Sequence, residues 1–180
     1  MVSKRIFDGK IMQVRIEDIL LPNGNVIDKE IVERINGVSI LPIEKEKIFL
    51  IQQYVPGKEK YVWGVPQGGI KGRFEKEGYV TTESSVEAAQ RELFEEIGYK
   101  AGKLEFLFHA EGDATIRHGI DYFLATELFE PPEERHIDEN ELIDLFLVDF
   151  DFAYEMAMNA EFQNPAVSLM ILMARNKKII

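Results

Sequence analysis

The chain has no cysteine, which excludes disulfide frameworks, cysteine-ligated zinc and thiol nucleophiles. Any bound metal must rest on oxygen or histidine. Histidine is itself scarce, with 3 in 180 residues, and neither His109 nor His136 has a second histidine at ligand spacing, so zinc is not expected. No apolar run approaches the roughly 18 residues of a membrane span. The N-terminal Met1-Val2-Ser3-Lys4-Arg5 leads into a charged, alternating segment rather than a signal-peptide core. A cytoplasmic protein with no membrane partner is expected. Positive charge is also short: 21 Lys and Arg against 32 Asp and Glu leave a formal charge of −11. A binder of long nucleic acid needs a basic face to replace condensed counterions, so such a partner is not expected. A small phosphorylated substrate stays compatible, because bound divalent cations invert the local field.

Hydrophobic residues make up 46% of the chain, enough for one sizeable core. Residues 11–20 and 26–35 alternate in polarity around Pro22-Asn23-Gly24-Asn25 and read as a β-hairpin arm. Residues 1–37 are assigned to this arm and 38–180 to the main domain. Strands are expected at Val38–Pro42, Ile48–Tyr54, Tyr61–Val65 and about 103–110, 119–127 and 143–149. Residues 67–82, rich in glycine and charge, read as a long loop. Helices are expected at about 84–97, 151–159 and 165–175.

The first of those helices carries the chemistry. Ser84 with Glu87 fits a capping box, and Gly98 stands where a left-handed stop is wanted. Val86, Ala89, Leu93 and Ile97 fall on one face by helical spacing, and Glu92, Glu95 and Glu96 fall on another. Like charges at i,i+4 cost an isolated helix about 0.2–0.5 kcal/mol per pair, so a purely structural helix would intersperse lysines. Hard cations prefer carboxylate oxygens, and Mg²⁺ in particular is held by a few carboxylates plus water and substrate phosphate. With Glu83, Arg91 and Gly98 at fixed spacing, chance accounts for such a pattern only about once in 10⁵ chains.

Glu83-x7-Arg91-Glu92-Leu93-x-Glu95-Glu96-x-Gly98-Tyr99 resembles the signature box of the Nudix hydrolases. The resemblance implies an α/β fold, a Nudix-type α/β/α sandwich around a mixed sheet. It implies Mg²⁺-dependent hydrolysis, with Mn²⁺ an alternative, of a nucleoside diphosphate linked to another group. Glu92 and Glu96 would be the principal metal ligands and Glu95 a supporting one, with the Gln67 carbonyl helping to arrange the metals. Glu83 and Arg91 would be structural supports. The box should open with glycine six residues before Glu83, where Glu77 stands. If Gly68 is that glycine, about nine residues are inserted, among them Lys71, Arg73, Phe74 and Lys76, which either close over a substrate or only pack.

Beyond the box, the chain resembles the ADP-ribose and nucleotide-sugar pyrophosphatase branch, in which the arm exchanges between subunits of a homodimer. By that likeness Lys29 of the arm and Arg117 are candidate substrate contacts, a guanidinium matching phosphate geometry. Asp138-Glu139-Asn140-Glu141-Leu142-Ile143 resembles the acidic loop that supplies the catalytic base, which falls on Glu139 with Glu141 as the fallback. Gln163-Asn164-Pro165-Ala166-Val167-Ser168-Leu169 completes the match as a packing segment. Val65-Pro66-Gln67-Gly68-Gly69-Ile70 is instead similar to the RNA 5′-pyrophosphohydrolase and diadenosine-polyphosphate branch, so both substrate classes stay open. A catalytically silent, nucleotide-sensing domain is the reading from another class, and it would tend to lose box glutamates that are all present here.

Overall fold

The computed structural model describes residues 3–75, 78–135 and 141–177. The strands are β1 (Ser3–Asp8), β2 (Met12–Leu20), β3 (Val26–Arg34), β4 (Gly37–Glu44), β5 (Lys47–Val55), β6 (Lys60–Gly64), β7 (Gln67–Gly69), β8 (Gly72–Glu75), β9 (Gly78–Thr81), β10 (Lys100–Ala110), β11 (Ile116–Arg117), β12 (Ile120–Phe129) and β13 (Ile143–Asp149). Helices α1 (Ser85–Ile97), α2 (Phe150–Met158) and α3 (Pro165–Asn176) complete it. The main sheet has 7 strands in the order β10-β12-β4-β5-β13, with β6 beside β5 and β7 beside β4. It is mixed: β12 runs parallel to β4, and its other pairings are antiparallel.

Its central strands are buried on both faces, and period-2 alternation sends neighbouring residues to opposite cores. Val38, Ile40, Phe49, Ile51, Phe123 and Ala125 pack under α1 with Ala88, Ala89, Leu93 and Ile97. Leu41, Ile43, Ile48, Leu50, Tyr122 and Leu124 pack under α2 and α3 with Phe150, Met156, Val167, Met170 and Ile171. This is the expected α/β/α sandwich. Each fully buried aliphatic side chain contributes about 1.5–3 kcal/mol relative to exposure.

β4 and β5 pair only next to their turn, at Ile43↔Ile48 and Glu44↔Lys47, and then part. The gap is closed by β6, which continues through Val65 and Pro66 into β7, crossing from the edge of β5 to the edge of β4. This crossing carries the Gln67-Gly68-Gly69 turn beneath α1.

Three sequence expectations change. β1 pairs with β2 and β11 pairs with β3, so the arm is a 4-stranded sheet, one strand of which comes from residues 116–117. The stretch 67–82 is not a loop: β8 and β9 form a hairpin held by the edge-on contact of Phe74 with Tyr79, ring centroids 5.0 Å apart. Glycine frequency hid a hairpin whose pairing rests on aromatic side chains. On α1, Val86 in the first turn is exposed and Ala88 takes the buried position, so the packed face is set by Ala88, Ala89, Leu93 and Ile97.

Candidate functional site

The ends of α1 are fixed as the sequence requires. Ser84 accepts a hydrogen bond from the Glu87 backbone N–H at 3.2 Å, and Glu87 accepts one from Ser84 N–H at 2.9 Å. Such a cap contributes about 1 kcal/mol. Gly98 adopts φ 80°, ψ 9° and donates its N–H to the Phe94 carbonyl. Arg135, which no sequence signal singled out, donates through Nε to the Glu95 carbonyl at 2.9 Å and through Nη2 to the Glu96 carbonyl. A cation on the last helical carbonyls meets the negative end of the helix dipole.

Arg91 organises one side of the helix. Its Nε and Nη2 donate to the two oxygens of Glu83, both at 2.9 Å, and Nη2 also donates to the Gly69 carbonyl at 2.9 Å. Its Nη1 bridges Glu92 at 2.6 Å and Glu95 at 3.0 Å. Glu83 accepts further from the Lys71 N–H at 2.9 Å. The Arg91 guanidinium holds the Glu83 carboxyl below its ordinary range, and Glu83 in turn raises Arg91. The insert is thereby bolted to α1. Its hairpin is also bolted to the arm, where Glu33 accepts from Tyr79 N–H at 3.0 Å and pairs with Arg15 at 2.7 Å.

Glu96 does not sit on a solvated face with its neighbours. It is 2% exposed, turned in under β7, where the Gln67 N–H donates to it at 3.1 Å. Burial pushes its carboxyl well above the usual range, and the nearby charges of Glu92 and Glu141 push the same way against the Gln67 hydrogen bond and Arg135. Glu92 is raised by burial first, with Arg91 opposing and Glu95 and Glu141 assisting. Its carboxylate rests directly on Gly68: a Cβ there would stand 2.0 Å from the Glu92 carboxyl carbon. Only glycine permits that approach.

Glu95 and Glu141 thus act electrostatically on Glu92, and Glu92 and Glu141 on buried Glu96, against the favourable charge of Arg135. Such a hard-oxygen set fits a divalent cation by chemistry. It is not closed into a ready cage: among the described residues no group of three or more His, Asp or Glu side chains is arranged to hold a metal. Arg91 Nη1 takes up Glu92 and Glu95 instead.

The other sequence candidates are dispersed. Glu141 is carried to the site because Tyr54 N–H donates to the Leu142 carbonyl at 3.0 Å, where β13 enters the sheet. Glu139, like Lys76 of the insert and His136, lies outside the described residues. Arg117 is held by Glu17 of the arm in a two-pronged pair at 3.0 and 2.7 Å. Lys29 lines a separate hollow with Ile16, Asp28, Glu30 and Thr115. His118 is half-buried, its Nδ1 2.7 Å from the Ile35 carbonyl, and burial lowers its pKa. It borders a groove shared with Arg34, Asn36, Gln53 and Gln67–Gly69.

A glutamate-bearing helix packed on a split mixed sheet, with Glu92 on Gly68 and Glu96 on Gln67, defines a class of α/β/α domain whose carboxylates suit a divalent cation by chemistry. The family model described as "NUDIX domain" matches residues 33–169, and the chain belongs to the Nudix family. It is 31% identical over 163 residues to an ADP-ribose pyrophosphatase of Bacillus subtilis, covering 88% of this chain and 82% of that protein. It is 30% identical over 156 residues to a methanol dehydrogenase activator of Bacillus methanolicus, covering 85% and 79%. A solved structure, "Crystal structure of ADP compounds hydrolase", superposes with TM-score 0.76 at 22% identity over 98% of this chain and 91% of that one, a likeness of fold. No helix among the described residues is long and apolar enough to cross a membrane.

Proposed function

We propose that the protein hydrolyses the pyrophosphate bond of ADP-ribose or a related nucleoside diphosphate sugar, giving a nucleoside monophosphate and a sugar phosphate. The observation that carries this reading is the Glu92–Gly68 and Glu96–Gln67 packing, an acidic pair desolvated against the Gln67–Gly69 stretch that borders the groove, in a chain similar to an ADP-ribose pyrophosphatase over most of its length. Glu92, Glu95, Glu96 and the Gln67 carbonyl are the groups that would hold Mg²⁺, or Mn²⁺. When bound, the cation neutralises the non-bridging phosphate oxygens and lowers the pKa of water. Arg91 would release Glu92 and Glu95 to it while keeping Glu83 and the insert in place. A water oxygen attacks one phosphorus, the bridging P–O bond breaks, and a loop carboxylate takes the water proton. Glu139 is the base suggested by sequence. Glu141 has the support of its charge acting on Glu92 and Glu96.

A homodimer is part of the proposal. By strand register, Phe7, Met12, Leu20, Val26 and Ile116 share one face of the arm sheet, and all are exposed, between 37% and 62%. The Asp18–Asp28 pair parts Leu20 and Val26 from the other three, and such exposed apolar side chains are the kind that a second copy covers. A nucleotide substrate goes with a cytoplasmic location. The Val65–Ile70 segment favours dinucleoside polyphosphates or 5′-triphosphorylated RNA as the second reading. A panel of ADP-ribose, NDP-sugars, dinucleoside polyphosphates and triphosphorylated RNA, each with Mg²⁺ and with Mn²⁺, decides between them. The proposal expects ADP-ribose or an NDP-sugar to show the highest kcat/KM. Preference for RNA or dinucleoside polyphosphate would move it to the second reading, and Mg²⁺-dependent turnover of none would leave a sensing domain.

A further inference from the structure

Where β6 crosses to β7, a cavity of about 130 Å³ opens, floored by Ile51, Val55, Val62, Val65 and Val167. Trp63 forms part of its wall, its ring also meeting Phe146 edge-on. Gly64 and four carboxamide residues, Gln53, Gln67, Gln163 and Asn164, furnish the rest of the lining. Among the described residues, no charged one lines it. Gln53 and Gln67 also border the groove that holds Arg34, Asn36 and His118, so the two hollows meet at these residues. Gln67 stands at the junction with the carboxylates, its N–H on Glu96.

We infer that this cavity takes the uncharged sugar carried on the distal phosphate of the substrate, a pentose or hexose ring, with Gln53 and Gln163 reading its hydroxyls. The inference rests on the pyrophosphatase reading and gives it a specificity site. A molecule with a pyrophosphate at its centre and an uncharged group at each end needs hollows on both sides of the cleavage site. The two here differ in charge and size. The groove with Arg34 and His118 encloses about 360 Å³, the carboxamide cavity about 130 Å³. Sites that enclose a whole drug-sized ligand run to about 300–1,000 Å³, so the smaller cavity suits one ring and not a nucleoside.

Its chemistry suits a sugar. Each hydroxyl both donates and accepts, and a carboxamide is the neutral side chain that offers both roles in fixed geometry. Among the described residues, the side chains of Gln53 and Gln163 make no hydrogen bond within the protein, whereas Asn164 already spends its oxygen capping α3 on Ala166 N–H at 3.0 Å. The valines and Trp63 offer an apolar surface to the C–H faces of the ring. A phosphate would find no cation in the cavity. The segment 163–169, which by sequence only packs before α3, thus gains a contact role through Gln163.

The test compares ADP-ribose with the methyl ester of ADP, which keeps the nucleotide and the pyrophosphate and lacks the sugar, using the full chain with Mg²⁺. The variants are Gln163→Leu and Gln163→Ala, at an exposed loop position that borders the cavity and not the larger groove, each checked for an unchanged melting temperature. Each is expected to lower kcat/KM for ADP-ribose by roughly ten-fold, the usual worth of a lost hydrogen bond, and to leave that for the methyl ester within about two-fold. An equal fall on both substrates, or no fall on ADP-ribose, overturns the cavity assignment while the hydrolase reading stands. A changed preference between ADP-ribose and its hypoxanthine analogue, with the methyl ester falling too, would put the base in the cavity and overturns it likewise. Absence of cleavage of either substrate by the unaltered protein overturns the hydrolase reading itself, and the cavity assignment with it.

Discussion

Replacing Arg91 with methionine keeps most of the side-chain length and removes the guanidinium that ties the insert to α1. The loss can be worked from the geometry. Two charged hydrogen bonds to Glu83 and one to the Gly69 carbonyl disappear, all at 2.9 Å, from side chains only 19% and 13% exposed at Arg91 and Glu83. The bond to Glu95 counts for less, because Glu95 is 40% exposed and water replaces its partner, whereas Glu92, 12% exposed, loses a short charged bond at 2.6 Å as well. Breaking a fully buried pair from one side costs about 3–5 kcal/mol. Discounted for the residual solvent here, the expected loss is about 2–4 kcal/mol. For a chain of this size that lowers Tm by roughly 4–15 °C, read by calorimetry or circular dichroism at pH 7. The pH dependence follows from Glu83, whose folded pKa is depressed by Arg91. Its stabilising contribution is present above the unfolded carboxylate pKa and is lost as pH falls through the lower folded value. The gap between the parent and Arg91→Met should therefore narrow in acid. A Tm within about 1 °C of the parent at pH 7, or a gap that widens as pH falls, would refute the reasoning.

Gly68→Ala places a methyl 2.0 Å from the Glu92 carboxyl carbon and forces that side chain away. Divalent-cation affinity by titration calorimetry, and kcat/KM with it, should fall about 10- to 100-fold, while Tm changes little because the carboxylate can swing toward solvent. Glu96→Gln should have opposite effects with and without metal. Burial raises the folded pKa of Glu96, so its charged form costs stability above the unfolded carboxylate pKa, fully so above the folded one. In chelator, the variant should be at least as stable as the parent at neutral pH, with the difference vanishing in acid; added Mg²⁺ should raise Tm for the parent and not for the variant.

What the sequence carried and what it did not have separate physical causes. The capping box at Ser84 and the stop at Gly98 were readable because each is a local rule of spacing. The resemblance marked Glu83 and Arg91 as supports but did not pair them, which took the folded geometry. Val86 was misassigned because helical periodicity fixes the angle of a residue around the axis and not whether another element packs against it. The hairpin at 72–81 was hidden by its glycines, and the inward turn of Glu96 by its charge. Arg135 and the carboxamide cavity arise from residues distant in sequence, Gln53 and Gln163 among them, which only the β6–β7 crossing and the α2–α3 connection bring together. No spacing rule reaches across such contacts.

The central claim is that the α1 carboxylates drive cleavage of a pyrophosphate bond. Phosphorus NMR of ADP-ribose with the protein and Mg²⁺ tests it most directly. The account predicts that the pyrophosphate resonances give way to those of AMP and ribose 5-phosphate, that chelator stops the conversion, and that Glu96→Gln slows it by orders of magnitude. Conversion at near-parent rate by Glu96→Gln, or in the presence of chelator, would contradict it.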